Sequence, residues 1–179
     1  MSKKIVIISS SLRNNSNSEA LALAFQSGAI EAGNEVSFIS LRGMKIAFCM
    51  GCLSCQKTGK CVIKDDANTI EQEVLNSDVV VLASPIYYYE MSGQLKTLLD
   101  RMNSMYPKDY RFRSVYVLTT AAEDETHVPE RAVNGITGWI DCYEKAKLIG
   151  SIFAGGLTEA GTITGHIALQ QAYEMGKMV

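Results

Sequence analysis

The sequence predicts a doubly wound α/β fold built on a five-stranded parallel sheet. Short apolar runs alternate along the whole chain with helix-like stretches. The clearest of these runs are continuous, as expected for parallel strands that helices cover on both faces. Neither an internal repeat nor a low-complexity linker interrupts the pattern. Residues 1–179 are therefore expected to form a single domain, and a chain of this length can build a substantial core.

The first half of the chain contains two strands and two helices on either side of a cysteine-rich segment. Residues 4–10 are an apolar run that predicts a buried strand, and residues 18–32 are rich in Ala and Leu, which favours a helix. Residues 35–40 alternate in polarity as a shorter strand should. Asp65 and its neighbour can cap a helix over 67–77. We expect the cysteine segment between these elements to be a loop.

The second half continues the alternation of strands and helices. Residues 78–83 are the clearest strand, because the run is β-branched and uninterrupted. The remaining elements are helices over 91–103, 129–143 and 164–177 and strands over 114–119 and 147–154. Five βα units of this length fit a flavodoxin-like strand order, 2-1-3-4-5.

Composition and charge exclude several classes of protein. Apolar residues make up 47% and charged residues 20% of the chain, as in ordinary globular proteins. The formal net charge of −2 provides no global positive field for nucleic acid or an anionic membrane. The apolar run at residues 5–8 is too short for a signal-peptide core, and no later run reaches membrane-spanning length. We therefore expect a cytoplasmic protein.

A polar loop follows the first strand, where ligands bind in such sheets. Residues 9–18 read S-S-S-L-R-N-N-S-N-S and lead into the first helix, whose N-terminal N–H groups favour a phosphate. The loop is neither the dinucleotide fingerprint nor a P-loop. Helix capping plus a polar turn is the alternative interpretation. The candidate phosphate ligands are Ser11, Arg13, Asn15, Ser16, Asn17 and Ser18.

The loops after strands 3 and 4 of the predicted order could hold a planar ring. Three consecutive tyrosines cannot all enter one core, and an aromatic side chain can stack on a heterocycle. A dimer interface would also favour tyrosine, and both interpretations can hold. The small residues after the fourth strand let a ring approach the backbone. The candidate ring contacts are Pro85, Ile86, Tyr87, Tyr88, Tyr89, Thr119, Thr120 and Ala121.

Four of the five cysteines fall within thirteen residues, in the pattern C-x2-C-x2-C-x5-C. They are Cys49, Cys52, Cys55 and Cys61. In a reducing compartment such a set indicates a metal, an iron–sulfur cluster or redox thiols rather than disulfides. The spacing differs from the bacterial ferredoxin run, which has three residues before the last cysteine and a proline after it. Cys142 is expected to be a buried small apolar residue, and His127 and His166 to be surface or loop residues.

Two motifs resemble those of the NAD(P)H-dependent FMN reductases with a flavodoxin-like fold. Their phosphate loop has the form G-S-P-R-x-x-G-N-T, and its Ser, Arg and Asn correspond to Ser11, Arg13 and Asn17. Glycine, proline and threonine positions of that form differ here. The second motif, P-x-Y-W followed by Q-L-K and D-R, corresponds to the stretch from Pro85 to Arg101, with Tyr88 in place of Trp. The resemblance runs over essentially the whole chain.

This resemblance implies an FMN-dependent oxidoreductase that passes electrons from NAD(P)H, or from a small electron carrier, to a second acceptor. The phosphate ligands and ring contacts above would bind FMN, and no side chain need act as a general acid or base, so no catalytic residue is assigned. A homodimer or higher homo-oligomer is expected, because the flavin would leave one ring face open near the tyrosines and the cysteine segment.

The cysteine segment resembles that of the iron–sulfur flavoproteins, in which four such cysteines hold a 4Fe–4S cluster near FMN. It is also similar to segments of relatives that bind FMN without a cluster. Two alternatives therefore stay open: an iron–sulfur flavoprotein acting in pure electron transfer, and a zinc-stabilised binding module without flavin.

Overall fold

The computed structural model describes residues 2–179, which contain six strands and six α-helices. The strands are β1 (Lys4–Ser9), β2 (Glu35–Ser40), β3 (Val79–Tyr87), β4 (Glu90–Met91), β5 (Ser114–Thr120) and β6 (Lys147–Ala154). The helices are α1 (Asn17–Glu31), α2 (Ser54–Thr58), α3 (Asp66–Asn76), α4 (Gly93–Arg101), α5 (Glu130–Asp141) and α6 (Ile167–Lys177). A 3₁₀ turn, Met102–Met105, follows α4.

Five of the strands form one parallel sheet in the order β2-β1-β3-β5-β6. This is the predicted order 2-1-3-4-5, which is confirmed; the labels differ because the two-residue strand β4 comes fourth along the chain. β4 pairs antiparallel with the end of β3. The order reverses between β1 and β3, so the loops after these strands diverge and leave a crevice at the carboxyl edge of the sheet.

Helices cover both faces of the sheet and create two apolar cores. One core lies under α1 and α6 and includes Ile7, Phe25 and Val81. The other lies under α3, α4 and α5 and includes Ile70, Leu98 and Phe112. The central strands β1, β3 and β5 contribute to both cores, because successive side chains point to opposite faces. This explains why their sequences are continuous apolar runs.

Local signals set the helix boundaries near the predicted positions. Asp65 caps α3 in a reciprocal capping box with Asn68, so the predicted cap is confirmed. Ser92 caps α4 by accepting a hydrogen bond from the backbone N–H of Leu95. Because of this cap, α4 begins two residues later than predicted, and it ends at Arg101, where the 3₁₀ turn takes over.

Two interpretations of single elements were wrong. The cysteine segment is not entirely a loop, since it contains the short helix α2, which begins after Leu53 in a left-handed conformation. Cys142 is exposed, because it lies at the C-terminal cap of α5 on the outer surface. His127 is exposed and His166 is half-buried at the cap of α6, where its Nδ1 accepts a hydrogen bond from the N–H of Ala168. No helix among residues 2–179 is long and apolar enough to cross a membrane.

Candidate functional site

A cavity of about 220 Å³ lies at the carboxyl edge of the sheet and gathers loops from four strands. Nine of the predicted ligand residues line it: Ser11, Arg13, Ser16, Asn17, Pro85, Ile86, Tyr87, Thr120 and Ala121. Ala122 and residues of the loop after β6, namely Leu157, Thr158 and Ala160, complete the wall. The cavity therefore lies where the doubly wound topology leads us to expect a ligand.

One end of this cavity is the β1–α1 loop, which carries the predicted phosphate ligands and is called the phosphate loop for that reason. Ser16 is the N-cap of α1, and its hydroxyl accepts a hydrogen bond from the N–H of Glu19 and contacts the hydroxyl of Ser18 at 3.0 Å. The Ser11 hydroxyl accepts a hydrogen bond from the N–H of Arg13. The first N–H groups of a helix have no intrahelical partner, so the start of α1 presents donors beside hydroxyls and a guanidinium. This donor set fits a phosphate monoester.

Arg42 supports this loop from the side of β2. Its guanidinium binds both carboxylate oxygens of Glu19 at 2.9 and 2.8 Å, and it also donates to the carbonyl of Arg13 and the side chain of Asn14. Glu19 is the acidic residue nearest the start of α1, and its negative charge alone would repel a phosphate there. The positive charge of Arg42 neutralises it. The sequence analysis did not identify Arg42, because its role depends on the register between β1 and β2.

A strap formed by residues 157–163, after β6, lies across the phosphate loop. Arg13 donates to the carbonyl of Thr158 at 3.0 Å, and the amide of Asn17 donates to the carbonyl of Glu159 at 2.8 Å. The oxygen of the same amide accepts from the N–H of Ile163 at 3.2 Å. Asn17 therefore positions the strap, and its side-chain donors and acceptor are engaged there. The sequence analysis missed the strap, although the end of β6 signals its location.

The part of the cavity that carries the predicted ring contacts, named the ring end, includes a two-residue hairpin turn between β3 and β4. Tyr88 and Tyr89 occupy this turn with φ values of 51° and 65°. Such a turn normally selects Asn or Gly, because a bulky side chain is strained at positive φ. Tyr87 lines the cavity, whereas Tyr88 is 98% exposed. The tyrosines do not share one core, as predicted.

Tyr89 belongs to a neighbouring cleft that continues the ring end. Its ring stacks on His127 with centroids 6.3 Å apart, and the guanidinium of Arg131 lies 5.8 Å from its centroid. A hydrogen bond with the Glu123 carboxylate raises the pKa of the Tyr89 hydroxyl. The cleft shares Ile86, Ala121 and Ala122 with the main cavity. A ring bound in one cavity would therefore border the other.

Five of the predicted ligands lie outside the lining of the main cavity. Asn15 is exposed at positive φ, and Ser18 is buried beneath the loop. Tyr88 and Tyr89 have the positions given above. Thr119 is buried, and its hydroxyl donates to the carbonyl of Ile152.

The four clustered cysteines line one small cavity of about 20 Å³. Its walls also include Met50, Val62, Arg101 and Asn103. Within residues 2–179 no three His, Cys, Asp or Glu side chains converge closely enough to hold a single metal ion. The thiols thus surround a space rather than meet at a point. Four thiols around one shared space suit an iron–sulfur cluster, which four Cys thiolates hold.

The cysteines differ in their surroundings. Cys49 and Cys52 are exposed, Cys61 is half-buried and Cys55 is buried. The backbone N–H and then the hydroxyl of Ser54 hydrogen-bond to the Cys52 thiolate and lower its pKa. Thiolates are the metal ligands and nucleophiles, so this shift favours both the metal and the redox-thiol interpretations.

Arg101 closes the base of the cysteine segment. Its guanidinium donates to the carbonyls of Ala47 and Ile63 and binds the Asp65 carboxylate at 2.6 Å. Burial lowers the pKa of Arg101, but the Asp65 carboxylate and then the Cys61 thiolate outweigh it and raise that pKa. These contacts tie the residues before and after the cysteines to the end of α4.

Comparison with known proteins identifies the relatives of this chain. The sequence profile of the NADPH-dependent FMN reductases matches residues 3–154. An iron–sulfur flavoprotein of Methanocaldococcus jannaschii is 38% identical over 98 residues, which are 55% of this chain and 51% of that protein. An iron–sulfur flavoprotein of Methanosarcina thermophila is 25% identical over 175 residues, or 97% of this chain and 92% of that protein.

The first of these alignments spans about half the length of the relative, and another, with an Archaeoglobus fulgidus iron–sulfur flavoprotein, spans 32% of it at 42% identity. Among solved structures, an NAD(P)H:quinone oxidoreductase from Methanothermobacter marburgensis has a TM-score of 0.77 at 16% identity, over 99% of this chain and 96% of that one. An azoreductase from Bacillus anthracis has a TM-score of 0.74 at 15% identity, over the full length of both chains. These structures share the fold.

Proposed function

Because the chain belongs to the NADPH-dependent FMN reductase family, we propose that it is an FMN-dependent oxidoreductase that moves electrons from NAD(P)H, or from a small electron carrier, to a second acceptor. We assign FMN binding to one domain that spans the described residues 2–179. The observation that carries this proposal is the cavity at the carboxyl edge of the sheet, which combines phosphate donors with a cleft of small and aromatic residues. Clustered free thiols favour a reducing compartment, which is why we assign the protein to the cytoplasm.

The chain's own residues bind and orient the flavin. Ser11, Arg13 and Ser16 would contact the phosphate together with the start of α1, and Asn17 and Ser18 hold that loop in shape. When bound, FMN can accept a hydride equivalent and release electrons one or two at a time.

Pro85, Ile86 and Tyr87 of the hairpin would flank one side of the ring, and Thr120, Ala121 and Ala122 would flank another. Small side chains at the end of β5 would let the ring approach the backbone there. The positive φ angles of Tyr88 and Tyr89 form the tight turn that sets the direction of the hairpin. No side chain is assigned a proton-transfer role.

A second function is favoured by the cavity of four thiols. In this second version the chain is an iron–sulfur flavoprotein. Its ligands Cys49, Cys52, Cys55 and Cys61 would hold a 4Fe–4S cluster that supplies single-electron transfer, and a carrier such as ferredoxin would take the place of NAD(P)H. The shared cavity of the thiols and the names of the sequence relatives support this version.

A single anaerobic preparation tests both versions. Flavin, iron, sulfide and zinc are measured with an absorption spectrum, and the protein is then mixed with NADPH or NADH. We expect stoichiometric FMN, and bleaching of the flavin bands by at least one nicotinamide. Protein that binds no FMN when supplied with it contradicts the proposal. FMN that neither nicotinamide reduces, but a reduced carrier does, favours the second version.

The cluster itself is tested with a variant that carries Cys49→Ser, Cys52→Ser and Cys55→Ser, with Cys142→Ser as the matched control. The cluster is supported if the wild type and the control contain iron and sulfide and the triple variant lacks both. Zinc without flavin supports the binding-module alternative. If the wild type contains neither iron nor zinc, and the triple variant keeps its stability and its electron transfer, FMN is the only electron carrier in the protein.

A further inference from the structure

Arg101 is a buried cation that faces the cysteine cavity. The residue is only 3% exposed and lines the same space as the four cysteines. The two terminal nitrogens of its guanidinium donate hydrogen bonds to Ala47, Ile63 and Asp65. Those contacts anchor the two ends of the segment and leave the remaining nitrogen free for another role.

That remaining nitrogen, Nε, is buried and has no hydrogen-bond partner within the described residues 2–179. Leaving a buried donor of a charged group unpaired is costly, so such a group usually has a partner when the protein functions. Asp65 already binds the other side of the guanidinium, and no second carboxylate among the cavity's lining residues touches Nε. An electron-rich sulfur acceptor in the thiol cavity would satisfy it.

We infer that the Nε–H of Arg101 donates a hydrogen bond to a sulfur of the iron–sulfur cluster held by the four cysteines, and that the guanidinium charge raises the reduction potential of that cluster. This inference rests on the iron–sulfur version of the proposed function. Arg101 is then a cluster-contacting residue as well as the anchor of the segment.

The direction of the effect follows from charge. Reduction adds one electron, and therefore one negative charge, to the cluster, and the electron comes from the reduced flavin or its reductant. A nearby cation stabilises the more negative form, and a hydrogen bond to sulfur does the same. Burial strengthens both effects, because the surrounding dielectric is low. Removal of the cation also leaves the Asp65 carboxylate without its partner, which pushes the potential further in the same direction.

The test compares cluster potentials by EPR-monitored redox titration of three anaerobic variants. Arg101→Gln removes the charge, Arg101→Lys keeps it but lacks Nε, and Arg111→Gln is the matched control at the opposite end of the sheet. We expect R101Q to lower the equilibrium constant for one-electron reduction of the cluster at least tenfold. This corresponds to a reduction potential about 59 mV more negative. R101K should shift in the same direction by less, and R111Q should match the wild type.

A second measurement needs no substitution at the anchor. Wild-type protein is grown with arginine labelled with ¹⁵N in the guanidinium group, and the reduced cluster is studied by electron spin-echo envelope modulation. A ¹⁵N modulation that is absent from unlabelled protein supports the contact. Its absence overturns the inference, even where R101Q and R101K fail to assemble a cluster.

The outcomes separate the two proposals. Wild-type protein that assembles no cluster overturns both the iron–sulfur version and the role of Arg101. If the wild type has a full complement of iron and sulfide, and the clusters of R101Q and R111Q have the same reduction potential, only the role of Arg101 is overturned.

Discussion

At the scale of single residues, the candidate flavin site depends on how charges are paired around one loop. Arg42 neutralises Glu19 at the start of α1. Arg13 is half-exposed, and its guanidinium binds a carbonyl and makes a loose 3.9 Å contact with Glu159. Arg42 is thus committed to the protein, and Arg13 can turn toward a ligand. A dianionic phosphate is a stronger partner for Arg13 than an exposed carboxylate, since charge-assisted bonds to phosphate can be bidentate.

The first prediction concerns this loop. Replacing Arg13 and Ser18 with Ala should weaken FMN binding, because the first change removes a charged contact worth about 1.5–3 kcal/mol, roughly tenfold or more in Kd. The second removes the hydroxyl that positions Ser16. Fluorescence titration of FMN into the apoprotein measures the effect, with Arg111→Ala as the control. Unchanged affinity in the double variant would show that the phosphate binds elsewhere.

The second prediction concerns the pair that anchors the cysteine segment. Burial raises the pKa of Asp65, but Arg101 and the N–H groups of Ala47 and Ala67 outweigh it and hold that pKa below its usual range. The carboxylate therefore adds stability above its unfolded pKa of about 3.9, and this contribution disappears as the pH falls through the lower folded value.

Asp65→Asn should accordingly cost about 3 kcal/mol near pH 7, because it leaves the Arg101 charge buried and unpaired. The loss should shrink as the pH is lowered through the folded-state pKa of Asp65. Urea unfolding at a series of pH values checks both statements. A variant that loses the same stability at every pH would show that the carboxylate acts through shape alone.

At the scale of elements, the contact between α1 and α6 depends on two glycines that face the partner helix. A Cβ on Gly28 would lie 1.9 Å from the carbonyl oxygen of Tyr173, and one on Gly176 would lie 2.1 Å from that of Phe25. The two helices therefore approach backbone to backbone, and no side chain can be added without moving one of them.

The third prediction separates this packing from helix propensity. Gly28→Ala should destabilise the fold by about 1–3 kcal/mol, since overpacking outweighs the gain in propensity. Gly138→Ala is the matched control, because Gly138 also lies within a helix, α5, but a Cβ there meets nothing within 4 Å. That control should be stabilised by about 1 kcal/mol. Thermal unfolding of both variants measures the difference, and equal shifts in Tm would refute the packing account.

The sequence indicated the long elements and failed on the short ones for a physical reason. β1, β3 and β5 are buried on both faces, so their apolar runs are unambiguous, and the capping signal at Asp65 fixed the start of α3. The helix α2 has five residues and the strand β4 has two, so neither is long enough to show a periodicity of apolar residues. Cys142 was placed wrongly because a single cysteine does not reveal which face of a helix it occupies.

The candidate site was predictable to the extent that it follows from topology. The loops after β1, β3 and β5 were expected to meet, and in the structure they line one cavity. Arg42 and the strap of residues 157–163 were missed, because both act through contacts between residues distant in sequence. The sequence spacing predicted that the four cysteines act together, but it did not predict that the guanidinium of Arg101 is buried beside them.

At the scale of the whole molecule, exposed apolar side chains are concentrated near the candidate site. A groove of about 440 Å³ runs between the phosphate loop, the residues after β2 and the start of α4, with Leu12, Met44 and Phe48 in its walls. Phe48 is 79% exposed, and Met50 and Leu53 continue the apolar surface into the cysteine segment. Such a surface is unusual on a monomer of this size and is typical of a protein interface.

The last prediction is that a second copy of the chain covers this groove, so that the flavin and the cysteine segment lie close to the subunit boundary. Light scattering should give the mass of a homodimer or a higher homo-oligomer. Phe48→Asp should shift the mass toward that of the monomer, because it places a charge in an apolar contact. Ile30→Asp is the matched control, since Ile30 is similarly exposed on the outer surface of α1 and lies outside the groove. A wild-type monomer that retains full flavin and activity would contradict the assembly, and so would an oligomer that Ile30→Asp disrupts while Phe48→Asp does not.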